Sequence, residues 1–211
     1  MSVLASCSIP SSVTAYVDRY RGKTSCPALS QRAIQLARQS RGLPTTPVGK
    51  QCKDTDLRPD LRLATKEDIV AAHNLMRGAV GVGPLVEVPE LDKSAEETAR
   101  YLITNGVWAH VNVPGQAGLA RVQELVDPDW EKVGENLARV PKRPGYRNVI
   151  LTEWLKSPEH AANMLDPANN YTQIGVGIAY DPQGTEYVVT HFAALGHAEK
   201  SASKVVVTVG G

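Results

Sequence analysis

Gln173-Ile-Gly-Val-Gly-Ile-Ala-Tyr-Asp-Pro-Gln-Gly-Thr-Glu-Tyr-Val-Val-Thr-His-Phe192 is the stretch on which the fold class turns. Ile174, Val176, Ile178 and Tyr180 alternate with small residues, the period-two grammar of a pleated strand. Asp181-Pro182-Gln183-Gly184 is a turn sequence, and Tyr187 to Phe192 returns as a second strand. A strand hairpin is therefore expected late in the chain. Gly175-Val-Gly177 lies inside it, so these glycines do not open a helix around a phosphate.

Upstream of the hairpin the periodicity is helical. Thr65-Lys66-Glu67-Asp68 reads as an N-cap with acids in the first turn, followed by Ile69, Ala72, Leu75 and Met76 on one side. Gly81-Val82-Gly83-Pro84 ends that helix. Glu90 to Ile103 repeats Leu91, Ala95, Thr98, Ala99 and Leu102 at helical spacing, and Gly106 stops it. Tyr146 to Lys156 is expected as a third helix, with Pro158 starting a new turn or helix. Helices before a hairpin predict an α+β fold.

Four short motifs punctuate these elements in order: His73-Asn74-x-x-Arg77, Trp108-Ala109-His110, Gly134-Glu135-Asn136 and Ser157-Pro158-Glu159-His160. Together, from about Ala64 to Leu195, they resemble the CAP superfamily. This is the SCP-like domain of cysteine-rich secretory proteins, venom antigens and plant pathogenesis-related proteins, here in a bacterial-type variant. The resemblance implies a three-layer α-β-α sandwich around a central, mainly antiparallel sheet. It also implies a cleft in which His110 and His160 hold a divalent metal such as zinc. Neutral imidazoles suit such an ion, but two leave its shell incomplete.

Glu135, Asn136 and Ser157 are the expected cleft residues around that pair. A carboxylate at Glu135 either orients a metal-bound imidazole or, in a hydrolase, activates water. Gly134 and Asn136 suggest that the Glu sits in a tight turn. In eukaryotic relatives a second Glu stands three residues after the helix tryptophan. Here that position, after Trp154, is Ser157, which weakens any two-carboxylate mechanism. Glu153 substitutes only if a helix runs through Pro158. His73, Asn74, Arg77 and Trp154 are read as structural, and His191 faces the cleft only if strand parity allows.

Composition narrows the remaining classes. The 211 residues suit one core domain with an appendage. Lys and Arg total 23 against 22 Asp and Glu, so no basic footprint for nucleic acid is expected. No apolar run is long enough to span a bilayer, and no signal peptide is visible in the sequence. Expected boundaries are an N-terminal helical arm and Pro-rich connector at 1–63, the domain at 64–198 and a β-type tail at 199–211. Within the arm, 11–22 and 27–42 read as short helices. Lys204 to Val209 reads as a strand or an exposed tail.

Cys7, Cys26 and Cys52 all precede the domain. Cys26 and Cys52 either close a loop or remain free thiols with Cys7, and sequence does not choose. Leu4-Ala5-Ser6-Cys7 resembles a bacterial lipoprotein processing box, which would place a lipid anchor at Cys7 if the true start lies upstream.

Three functions follow. The first, implied by the resemblance, is a non-enzymatic, secreted or surface module whose cleft holds an ion and binds a lipid or peptide. The second is a His/Glu-dependent, protease-like hydrolase, although no serine elbow, zinc-protease helix or P-loop is present. The third is a structural component docked into a surface or particle assembly through residues 1–63.

Overall fold

Residues 35–44, 65–125, 130–141 and 149–195 are described by a computed structural model of the chain. In chain order the elements are α1 (Lys66–Ala79), β1 (Val86–Glu87), α2 (Pro89–Thr104), β2 (Asn112–Val113), α3 (Gly118–Leu125), β3 (Trp130–Pro141), α4 (Ile150–Lys156), α5 (Pro158–Leu165), β4 (Gln173–Tyr180) and β5 (Thr185–Leu195). The expected N-cap is present: Thr65 Oγ1 accepts from Asp68 N–H while the Asp68 carboxylate accepts from Thr65 N–H. α2 opens on Pro89, whose missing N–H costs nothing in a first turn.

The sheet runs β1-β4-β5-β3, with β1 parallel to β4 and the other pairs antiparallel. Strand alternation divides the side chains between two helical layers. Ile174 and Val176 of β4, with Val188 and Phe192 of β5, pack against α1, α4 and α5. Gly175, Gly177 and Ala179 face the other way, toward α2, whose Ala95, Ala99 and Leu102 pack on Leu137, Tyr187 and Val189. The result is the expected α-β-α sandwich. The single Phe of the chain, Phe192, is fully buried and stacks on Tyr171 with centroids 5.7 Å apart.

Arg77 binds the α1 layer to the loops around it. Its guanidinium donates to the carbonyls of Gly83 (2.6 Å), Met164 (2.9 Å) and Tyr171 (2.8 Å). Burial depresses its pKa to about 10, still far above neutrality. Asn74 clamps Leu85 from both sides, donating to its carbonyl at 2.9 Å and accepting from its N–H at 2.7 Å. His73 is fully buried, its Nδ1 bonded to Ile69 O at 2.9 Å and its ring against Trp154 and Phe192.

One sequence expectation needs correction. Gly134-Glu135-Asn136 is not a turn but the centre of β3, a 12-residue strand. The new turn or helix expected at Pro158 is a helix, α5, and His160 is its third residue. The sequence pattern gives no sign of α3; α4 is described from Ile150, and the expected start of the third helix at Tyr146 lies outside the described residues.

Of the arm, residues 35–40 are helical, and Ala37 is buried in the same core as α1. Arg38 donates to Ala79 O at 3.0 Å, and Arg41 pairs with Asp166 at 3.3 Å. The expected helix at 11–22, the strand at Lys204–Val209, the three cysteines and both expected domain boundaries lie outside the described residues.

Candidate functional site

Glu135 is the centre of the site. It lies on β3 directly across the ladder from His191 on β5, so both side chains leave the sheet on the same face, toward α2. The Glu135 side chain is 3% exposed, and His191 is not exposed at all. His191 Nε2 lies 2.8 Å from Glu135 Oε2, and His191 Nδ1 lies 2.7 Å from Ser94 Oγ on α2. The other carboxylate oxygen, Oε1, is 2.6 Å from Nδ1 of His110.

His110 comes from the loop after α2. Its side chain is 60% exposed, so the ring stands at the surface. Beside it, Trp108 is exposed; it meets the edge of Tyr187 at 5.7 Å, and the Arg139 guanidinium lies 5.1 Å from its ring. With Nδ1 engaged by Glu135, His110 Nε2 has no hydrogen-bond partner among the described residues.

His160 approaches from the opposite layer. α5 is fixed on β3 by Asn163, which donates to Glu135 O at 3.2 Å and to Asn136 Oδ1 at 2.9 Å. Asn136 in turn donates to His160 O at 3.2 Å. The His160 ring lies 6.4 Å from the Trp154 ring, and its nitrogens have no hydrogen-bond partner among the described residues. Trp154 itself donates its indole N–H to Leu137 O at 2.9 Å. Edge strand β3 thus carries Glu135, whose carboxylate meets His110 and His191 on the α2 side, while the backbone of Glu135 and the side chain of Asn136 bind α5.

Charges follow from these contacts. Burial alone raises the Glu135 carboxyl, but the hydrogen bonds from His110 and His191 outweigh it and hold the group below its ordinary value. The bond to Glu135 pushes His110 upward against partial burial. Burial and the neighbouring charge of His110 push His160 downward. Two imidazoles at one edge are therefore driven apart, one favouring its cation and the other its neutral form.

Other expected residues fall outside this group. Ser157 joins α4 to α5, its N–H closing on Trp154 O and its carbonyl accepting from Ala161 N–H. Glu153 is exposed and pairs with Lys156 at 2.6 Å. α4 ends before Pro158, so Glu153 does not take the place of the second acid. Ser94 escapes sequence reasoning, being one small residue on the buried stripe of α2. The strand alternation of His191 with Val189 and Ala193 was the available signal for its facing.

The model of the cysteine-rich secretory protein family, CAP, matches residues 70–192. The chain belongs to the CAP family. Its fold is shared with an outer surface protein from Borrelia burgdorferi, at 20% identity and a TM-score of 0.52, over 60% of this chain and 90% of that one. It is also shared with an extracellular protein containing a SCP domain from Bacillus anthracis str. Ames. That match has 20% identity and a TM-score of 0.51, over 71% of this chain and 45% of the other. No curated protein sequence matches the chain. Among the described residues, no helix of this CAP protein is long and apolar enough to cross a membrane.

Proposed function

We propose that this CAP domain is a non-enzymatic binding module that works outside the cell. In this reading it holds an exchangeable divalent ion, such as zinc, between His110 and His160, and the ion helps a lipid or peptide to dock. The observation that carries this is the state of the two rings. Glu135 occupies His110 Nδ1, and neither His110 Nε2 nor the His160 ring nitrogens have a hydrogen-bond partner among the described residues. A carboxylate on the far nitrogen is how metal-binding imidazoles are oriented.

The donor set fits an open site and not a closed structural one. Both oxygens of Glu135 are spent on imidazoles. Among the described residues, no three His, Cys, Asp or Glu side chains are grouped to hold a metal. The chain would supply two ligands, and water or a bound ligand the rest. Bound there, the ion would act as a Lewis acid toward an oxygen of the ligand.

The same geometry argues against hydrolysis. A general base needs a carboxylate oxygen within reach of water, and Glu135 is buried with both oxygens bonded. Ser94, His191 and Glu135 have the composition of a serine triad, but Ser94 and His191 are wholly buried. An extracellular setting is supported by the outer-surface and extracellular proteins that share the fold. Docking of the arm on a partner is not favoured for residues 35–40, because Ala37 is buried on this domain.

Calorimetric titration of zinc into the full chain and into a His110→Ala, His160→Ala double variant tests the reading. Binding at one ion per chain, lost in the variant, is expected. No heat from the unaltered protein would end it.

A further inference from the structure

We infer that His191 is a positioning residue for the site: it fixes Glu135 and, through Glu135, the ring of His110. His191 and Glu135 do not touch a ligand in this scheme. Only His110 and His160 do, so the inference rests on the proposed function and deepens it.

Ser94 Oγ lies within reach of Leu91 O, at 2.9 Å, and of His191 Nδ1, at 2.7 Å. Leu91 O belongs to the first turns of α2, where the helix already supplies an N–H donor. The single hydroxyl hydrogen is free to turn to Nδ1, which leaves the ring's own hydrogen on Nε2, pointing at Glu135 Oε2. The imidazole is held at both nitrogens and packed on all sides, so it cannot rotate.

Move outward next. Pinned at Oε2, the carboxylate has one oxygen left, Oε1, and it meets His110 Nδ1. No other side chain among the described residues donates to that carboxylate, since Asn163 reaches only the backbone carbonyl of Glu135. His110 stands on an exposed loop, and this is its one hydrogen bond among the described residues. Whatever fixes Glu135 therefore fixes His110. The chain from Ser94 through His191 and Glu135 carries rigidity from α2 across the sheet edge to a surface ring, and it selects the tautomer with hydrogen on Nδ1 and the lone pair on Nε2.

The test reads the tautomer of His110 directly, by long-range nitrogen–hydrogen NMR correlations at a pH where both rings are neutral. The full chain is compared with His191→Leu and His191→Gln. A glutamine amide can restore an N–H near the place of Nε2, whereas leucine cannot. His110 locked with hydrogen on Nδ1 in the unaltered protein and in His191→Gln, but exchanging between tautomers in His191→Leu, is the expected result. Zinc affinity should fall in parallel by about tenfold or more in His191→Leu alone.

If His191→Leu does not fold, Ser94→Ala probes the same chain from its far end and should also release the tautomer. A His110 ring that stays locked in His191→Leu, or in Ser94→Ala where that is the folded variant, overturns the inference. A tautomer that responds as expected, in a protein that binds no zinc, removes the metal reading and leaves the positioning role standing.

Discussion

Gly177 of β4 lies so close beneath α2 that a Cβ added to it would overlap the Ala95 carbonyl carbon and the Glu96 nitrogen. Gly175 stands in the same relation to Leu91 and Asp92. The obstacles are helix backbone, which no rotamer change can move. The two glycines are what let α2 approach the sheet closely enough for Ser94 to reach His191.

Gly177→Ala is expected to destabilise the domain by about 3 kcal/mol or more, at the upper end of overpacking costs, and to weaken the Ser94 contact. Gly78→Ala is the control. Gly78 is an exposed residue near the end of α1 with nothing near its would-be Cβ, so alanine there should stabilise by about 0.5–1 kcal/mol. Urea denaturation of the two variants should give opposite signs.

His73 makes the fold acid-sensitive. Burial, with the nearby charge of Arg77, pushes its pKa from 6.5 down to about 4, while the bond to Ile69 O works the other way. The unfolded chain therefore takes up the proton first. Above pH 6.5 the group contributes nothing. As pH falls from there toward about 4 the unfolded state gains, and below that the loss is complete at about 3 kcal/mol. A His73→Leu variant should lack this component, so unfolding free energies of the two proteins should converge between those pH values. Parallel curves would refute the assignment.

Arg77 satisfies three carbonyls from three separate segments, which a lysine ammonium at the same place cannot reach in one plane. Arg77→Lys should cost about 2–4 kcal/mol, since each orphaned buried carbonyl costs roughly 1–3 kcal/mol and water replaces part of it. Thermal unfolding gives the magnitude. Hydrogen exchange should quicken first around Met164 and Tyr171.

What the sequence made legible follows its periodicities. α1, α2 and the β4–β5 hairpin announce themselves because each buries one face against the core, and burial imposes period 3.6 or 2. β3 does not, since Lys132, Gly134, Glu135 and Asn136 carry little strand propensity and its partner β5 supplies the ladder. The motif residues His110, Glu135 and His160 could be named without their geometry. Ser94 could not, because a serine bonded to a histidine 97 positions away leaves no local trace.

Glu135 and His191 form a buried pair whose members should be worth more together than apart. His191→Leu leaves a buried carboxylate with one donor, and Glu135→Leu leaves the His191 N–H facing an apolar group. Each single change should cost about 3 kcal/mol or more. The double variant removes the polar demand on both sides, leaving His110 to turn its exposed ring to water. It should cost less than the sum of the singles by at least about 1 kcal/mol, measured as a double-mutant cycle by urea denaturation. Strict additivity would mean that the 2.8 Å contact carries no coupling, and that His110 is oriented by Glu135 without help from His191.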